Sequence, residues 1–263
     1  MFRIPATNLA AEDAAQLASV QASLDAAGDY AARVAEGKRR WAGKPDALFG
    51  RLRKMLEGMC SGNIRCIYCE DSRADEIEHM RPKDLYPEAV FVWDNYVLAC
   101  GPCNGPKNNH FAVIAAGTSV LIDVTRKPRA AVAAPAAGVP ALIDPRAEDP
   151  LDYLWLDFRT YRFVPNAEDP SGKLRAKYTI DVLRLNERDD LVRGRSGAYS
   201  GFRARLKEYC AGAAGWSQSR KVEFLAHFRG ERYRTVWLEM IRQRNRLAEI
   251  DGLLQQAPEA LAW

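Results

Sequence analysis

The chain has 263 residues, 48% of them apolar, and a formal net charge of +4. That is enough material for one large domain or two small ones, and the charge is too small for a histone-like binder. Bulk charge therefore neither demands nor excludes nucleic acid, and any phosphate contact must come from local clusters. Such clusters occur at residues 37–44 ("GKRRWAGK"), 51–54 ("RLRK") and 242–246 ("RQRNR"). Each run taken alone reads as a solvated helix face.

No basic stretch followed by an apolar segment opens the chain, and no apolar run reaches the roughly 18 residues of a membrane span. A cytoplasmic protein without a membrane partner is expected. In that compartment the six cysteines read as metal ligands or redox groups before disulfides.

Residues 8–36 are rich in Ala, Leu, Asp and Glu and predict helix, with Gly28 as a break and Gly37 as a stop. Leu48, Phe49, Leu52, Met55 and Leu56 recur at helical spacing and predict a second helix over 46–58. A cysteine-rich block occupies 60–110. Residues 126–141, built of Pro, Gly and small residues, predict a loop. "YLWLDF" and "TYRFVP" alternate as a short hairpin would. From about residue 173 the pattern returns to helix in three long stretches. The expected class is α+β and mainly helical: a helical region (1–58), a small metal-bearing core (59–112) and a mainly helical region (113–263).

Cys66-x-x-Cys69 is matched by Cys100-x-x-Cys103. Four thiolates in two knuckles are the tetrahedral set that a structural Zn²⁺ prefers. Cys60 and Cys210 lie outside the pattern and read as small buried hydrophobes. Between the knuckles, "DEIEHMRPKDLYP" sets Glu78 beside His79. In a straight strand the two would point to opposite faces, and Pro82 ends the strand. "CNGPKNNH" predicts a short helix with Asn104 at or near its N-cap and Pro106 in its first turn.

The order is knuckle, strand with Glu78-His79, segment with Asn95, knuckle, helix with Asn104 and Lys107. It resembles the HNH endonuclease motif with its ββα-metal core. "RCIYCE", "IEHMRPK", "WDNYVLACGPCNGPK", "LIDPRAEDP" and "VLRLNERDDLVRGR" are similar to the HNH subunits of Septu-type and retron-associated anti-phage systems, over roughly residues 41–210.

The resemblance implies hydrolysis of nucleic-acid phosphodiesters, DNA foremost. It makes His79 the general base, and Glu78 and Asn104 the ligands of a catalytic Mg²⁺ or Mn²⁺. Asn95 orients the His79 loop, and Lys83 and Lys107 meet substrate phosphate. A neutral imidazole suits the base role near pH 7, and oxygen ligands suit a hard divalent ion. Glu76 is a rival ligand on the face of Glu78. His110 is weighed as a further ligand or phosphate contact, and a surface position suits it better. His227 reads as a helix-face residue. The resemblance further implies an ABC-like ATPase partner docked on the flanking helical regions. The alternative is a zinc-stabilised nucleic-acid-binding or interaction subunit without cleavage.

Overall fold

In a computed structural model, which describes residues 1–263, three helices precede the cysteine-rich block. They are α1 (Ala11–Asp25), α2 (Tyr30–Ala42) and α3 (Asp46–Met59). Gly28, at φ +100°, makes the break between the first two. Asp29 then caps α2 by accepting a hydrogen bond from the Ala32 N–H at 2.8 Å. Gly37 does not stop α2, contrary to the sequence expectation. A Cβ at this position would meet Leu24 and Val90 side chains at 3.2 Å. The glycine is there for a close approach to α1 and to the 87–91 segment, and the helix runs on through it.

Strand β1 (Glu76–His79) pairs antiparallel with β2 (Tyr96–Ala99), Glu76 opposite Ala99 and His79 opposite Tyr96. Helix α4 (Gly101–Lys107) follows β2 across a single residue, Cys100. It starts earlier than the sequence suggests. The Cys100 carbonyl accepts from the N–H groups of Cys103 (3.0 Å) and Asn104 (2.9 Å), so the second knuckle is itself the first helical turn. Asn104 therefore sits mid-helix, and Pro102, not Pro106, occupies the first turn.

Beyond this unit, β3 (Ala112–Ile114) lies between β4 (Leu121–Asp123) and β5 (Val139–Pro140) in a three-stranded sheet. The Pro- and Ala-rich loop thus ends by adding a short edge strand. The expected hairpin is β6 (Leu154–Asp157) with β7 (Arg162–Pro165). Five helices complete the chain: α5 (Pro170–Val182), α6 (Asp189–Gly212), α7 (Gln218–Arg229), α8 (Arg234–Arg242) and α9 (Ala248–Gln256). The architecture is mainly helical α+β with three small antiparallel sheets. One apolar core runs from Leu17 and Leu24 past Cys66 and Cys100 to Trp237 and Trp263. No helix is long and apolar enough to cross a membrane.

One of the links from the N-terminal helices to the β1–β2 unit is a buried amide. Gln21 on α1 donates to the Pro87 carbonyl at 3.0 Å and accepts from the Phe91 N–H at 2.8 Å. It thereby clamps the middle of the segment between β1 and β2, at Pro87 and Phe91. Gln21→Ala leaves the buried Phe91 N–H without a partner and the Pro87 carbonyl with only the Val90 N–H, which predicts a loss of about 1–3 kcal/mol. The urea midpoint should fall at an unchanged m-value. A shift below about 0.5 kcal/mol would show that the loop is held by other contacts.

Candidate active site and metal centre

The thiols of Cys66, Cys69, Cys100 and Cys103 are buried, and their sulfurs lie within 4.8 Å of one another. All four are free of disulfides. Cys69 and Cys100 are 3.8 Å apart. A Zn–S bond of about 2.3 Å gives a tetrahedron with edges of about 3.8 Å, so the set has the size and chemistry to hold one zinc ion.

The first knuckle is locked by Cys66 N–H donating to the Ser72 carbonyl (2.9 Å) and Glu70 N–H donating to the Cys66 carbonyl (2.8 Å). Glu70 takes the turn at φ +61°. Two distant residues support the centre. Arg188 donates to the Cys103 sulfur at 3.6 Å, and Glu70 accepts from the Thr235 N–H at 3.1 Å. Neither partner was visible in the sequence, because each lies far along the chain from the cysteine block. Cys60 and Cys210 lie outside the cluster, half-buried, each donating to a carbonyl of a helix residue.

Next to this centre a cleft of about 500 Å³ opens between β1, α4, the end of α2 and the body of α3. Its walls carry Glu76, Glu78, His79, Lys83 and Asn104. His79 is 3% exposed. The Trp41 ring meets it edge-to-face at 4.2 Å and Tyr96 at 5.2 Å. His79 Nε2 lies 2.9 Å from the Val90 carbonyl. A carbonyl only accepts, so Nε2 carries the proton and Nδ1 keeps its lone pair. Burial, reinforced by the Lys83 ammonium, pulls His79 down to about 3, so the ring is neutral at neutral pH.

Asn95 is buried and fully committed. Its Oδ1 accepts from the Arg81 N–H at 2.7 Å, and its Nδ2 donates to the carbonyls of Arg81 (3.0 Å) and Ala89 (2.9 Å). It ties the segment after His79 to the segment that presents Val90, and has no atom left for an ion.

The two glutamates of β1 have different partners. Asn104 Nδ2 donates to Glu76, at a distance of 2.5 Å. Glu78 forms a buried ion pair with the Lys107 ammonium, which also donates to the His79 carbonyl at 2.9 Å. Burial raises the Glu78 carboxyl, and Lys107 partly offsets this. Lys107 is 0% exposed. The sequence placed it at a substrate phosphate; here its ammonium is engaged by the Glu78 carboxylate and the His79 carbonyl. Lys83 lines the cleft half-buried. His110 is exposed and outside the cleft, and His227 is exposed on α7.

No protein-family model matches the chain, and no solved structure matches it. It is similar to the Septu protein PtuB of Bacillus thuringiensis, with 30% identity over 135 residues. The match takes in 49% of this chain and 40% of that protein. The chain thus spans about two fifths of its relative's length.

The metal centre carries a direct prediction. The protein as purified should hold one zinc per chain by elemental analysis, and Cys69→Ser or Cys100→Ser should lose it. Because metal ligation is coupled to folding, both variants should melt earlier and with less cooperativity than wild type. Full zinc occupancy in Cys100→Ser would rule out the four-thiol site.

Proposed function

We propose that this chain is a metal-dependent HNH-type endonuclease that cleaves nucleic-acid phosphodiesters, DNA foremost, within a Septu-type anti-phage system. The observation that carries the reading is a single cleft, beside a four-thiol centre, that gathers a neutral histidine with a free Nδ1, two glutamates and an asparagine. The similarity to PtuB supports the defence setting.

In this reading His79 takes the proton of the attacking water at Nδ1. The Nε2–H bond to Val90 keeps the ring in that tautomer, and Trp41 and Tyr96 fix its plane. Asn95 holds the two segments that set the His79–Val90 geometry, so its role is positional. Glu76, Glu78 and the Asn104 side-chain oxygen offer hard oxygen donors on one cleft, a set suited to Mg²⁺ or Mn²⁺. Glu78 Oε1 already faces the Lys107 ammonium, so an ion bound there would share that carboxylate with Lys107. A divalent ion bound there supplies charge relief to the phosphoryl group and the leaving oxygen. Lys83, at the cleft mouth, meets the phosphate backbone.

Zinc-loaded protein with added Mg²⁺ or Mn²⁺ should nick plasmid DNA, and His79→Ala should lower the rate by at least about 100-fold with zinc retained. RNA run in parallel tests the substrate preference. Equal cleavage by wild type and His79→Ala would remove His79 from the chemistry.

A second reading, a zinc-stabilised binding or interaction subunit without cleavage, draws on the buried Glu78–Lys107 pair. There an ammonium already neutralises the carboxylate that a catalytic ion needs. In that case wild type and His79→Ala are equally inert under every metal condition.

The nuclease reading includes an ABC-like ATPase partner, docked on the helical regions flanking the cleft. When the chain is tagged at its native level, an ATPase encoded beside it should co-purify in fixed stoichiometry. A fully active solitary monomer in the presence of that ATPase would argue against the partnership.

A further inference from the structure

Three basic runs stand out in the sequence, and the fold separates them by what their charges already do. In the run 242–246, Arg242 pairs with buried Glu239 and Arg244 with Asp251, while Arg246 lies over the Trp155 ring at 5.0 Å. That run is structural. In the run 37–44, Lys38 pairs with Asp84, and Arg39 and Arg40 share Glu36. In the run 51–54, Arg51 pairs with Asp13.

Lys44 and Arg53 are different. Both line the cleft that holds His79, Glu76, Glu78 and Asn104, and neither meets a carboxylate at ion-pair distance. Lys44 Nζ stands 4.9 Å from the Trp41 ring centroid, and Lys83 Nζ 5.7 Å from the same ring. One indole thus gathers an ammonium from the turn between α2 and α3 and one from the loop after β1. Arg53 donates once, to the Asp75 carbonyl at 2.8 Å, which leaves most of its guanidinium donors free. These three cations share the cleft with the Asp75, Glu76 and Glu78 carboxylates but pair with none of them at ion-pair distance, which leaves their donors open to an anion of extended shape.

We propose that Lys44 and Arg53 are backbone-phosphate contacts for the nucleic-acid strand. The ends of α2 and the body of α3 then form one wall of the substrate channel, with Lys83 completing it. This rests on the nuclease reading above and extends it to residues outside the cysteine block. Contacts of this kind set register and affinity and carry no base information, so sequence preference must arise elsewhere.

The test is direct binding of labelled DNA and RNA oligonucleotides to the full zinc-loaded chain without added divalent ion, by fluorescence anisotropy over a series of salt concentrations. Lys44→Ala and Arg53→Ala should each weaken binding about 3- to 10-fold, equally for unrelated sequences. The double variant should lower the slope of log K against log salt by about 1 to 2. Lys44→Arg and Arg53→Lys should restore most of the affinity, which a purely structural role would not predict. Lys38→Ala, on α2 and outside the cleft, should bind as wild type does.

If wild type binds and the double variant binds equally well with the same salt slope, the inference is wrong and the nuclease reading stands. If wild type neither binds nor cuts any nucleic acid, both fall together.

Discussion

Cys69 and Cys100 are 31 residues apart in sequence, and their sulfurs lie 3.8 Å apart in space. Closing a loop of that length costs chain entropy that a two-strand ladder of four residues each does not recover alone. Metal–thiolate bonds are strong enough to do so, since ligation energy is folding energy in small zinc-bearing units. Much of the cleft follows from that closure. β1 leaves the first knuckle and β2 enters the second, so the register that sets His79 opposite Tyr96 is fixed at the cysteine end. Asn104 follows Cys103 of the four-thiol cluster, and the turn that gathers the thiols also aims it at Glu76 of β1.

The charges near the strand are arranged so that few are left bare. Glu78 is buried and would be costly to ionise alone; Lys107, buried beside it, makes the charge tolerable. The same ammonium grips the His79 carbonyl, so the backbone of the histidine and the carboxylate before it share one support. His79 escapes the penalty by remaining neutral. Lys83, Lys107 and Lys44 all push in that direction. An anion drawn onto Lys83 and Lys44 would relieve part of this pressure, so the surroundings that make the empty ring a weak base suit a phosphate-bearing visitor.

Much of this was readable from the chain because it is local. The two Cys-x-x-Cys pairs share a spacing, and Glu78, His79, Asn95 and Asn104 fall in a fixed order around them. The hairpin at β6–β7 showed in its alternation. What escaped was long-range. Gln21 reaches Phe91 across 70 residues and Arg188 reaches Cys103 across 85. No periodicity encodes such pairs. Gly37 misled because a glycine that permits close packing looks, in sequence, like one that ends a helix. Lys107 misled because a lysine between Pro106 and Asn108 in a polar segment reads as exposed. Only the fold shows that its ammonium is sealed under β1.

These distant supports bear on how the chain is divided. The cysteine block of about 50 residues is too small to bury a full core by itself. Its metal side leans on Arg188 and on the Thr235 amide from the C-terminal helices. Its cleft side leans on Trp41 against His79 and on Gln21 beneath the Val90 segment. The flanking helices therefore act as the outer walls of the site. A partner that shifted α2 by even an ångström would move the indole that packs on His79 and gathers Lys44 and Lys83. Control of the cleft from the helical regions needs no long relay, because the last residues of α2 already touch the histidine.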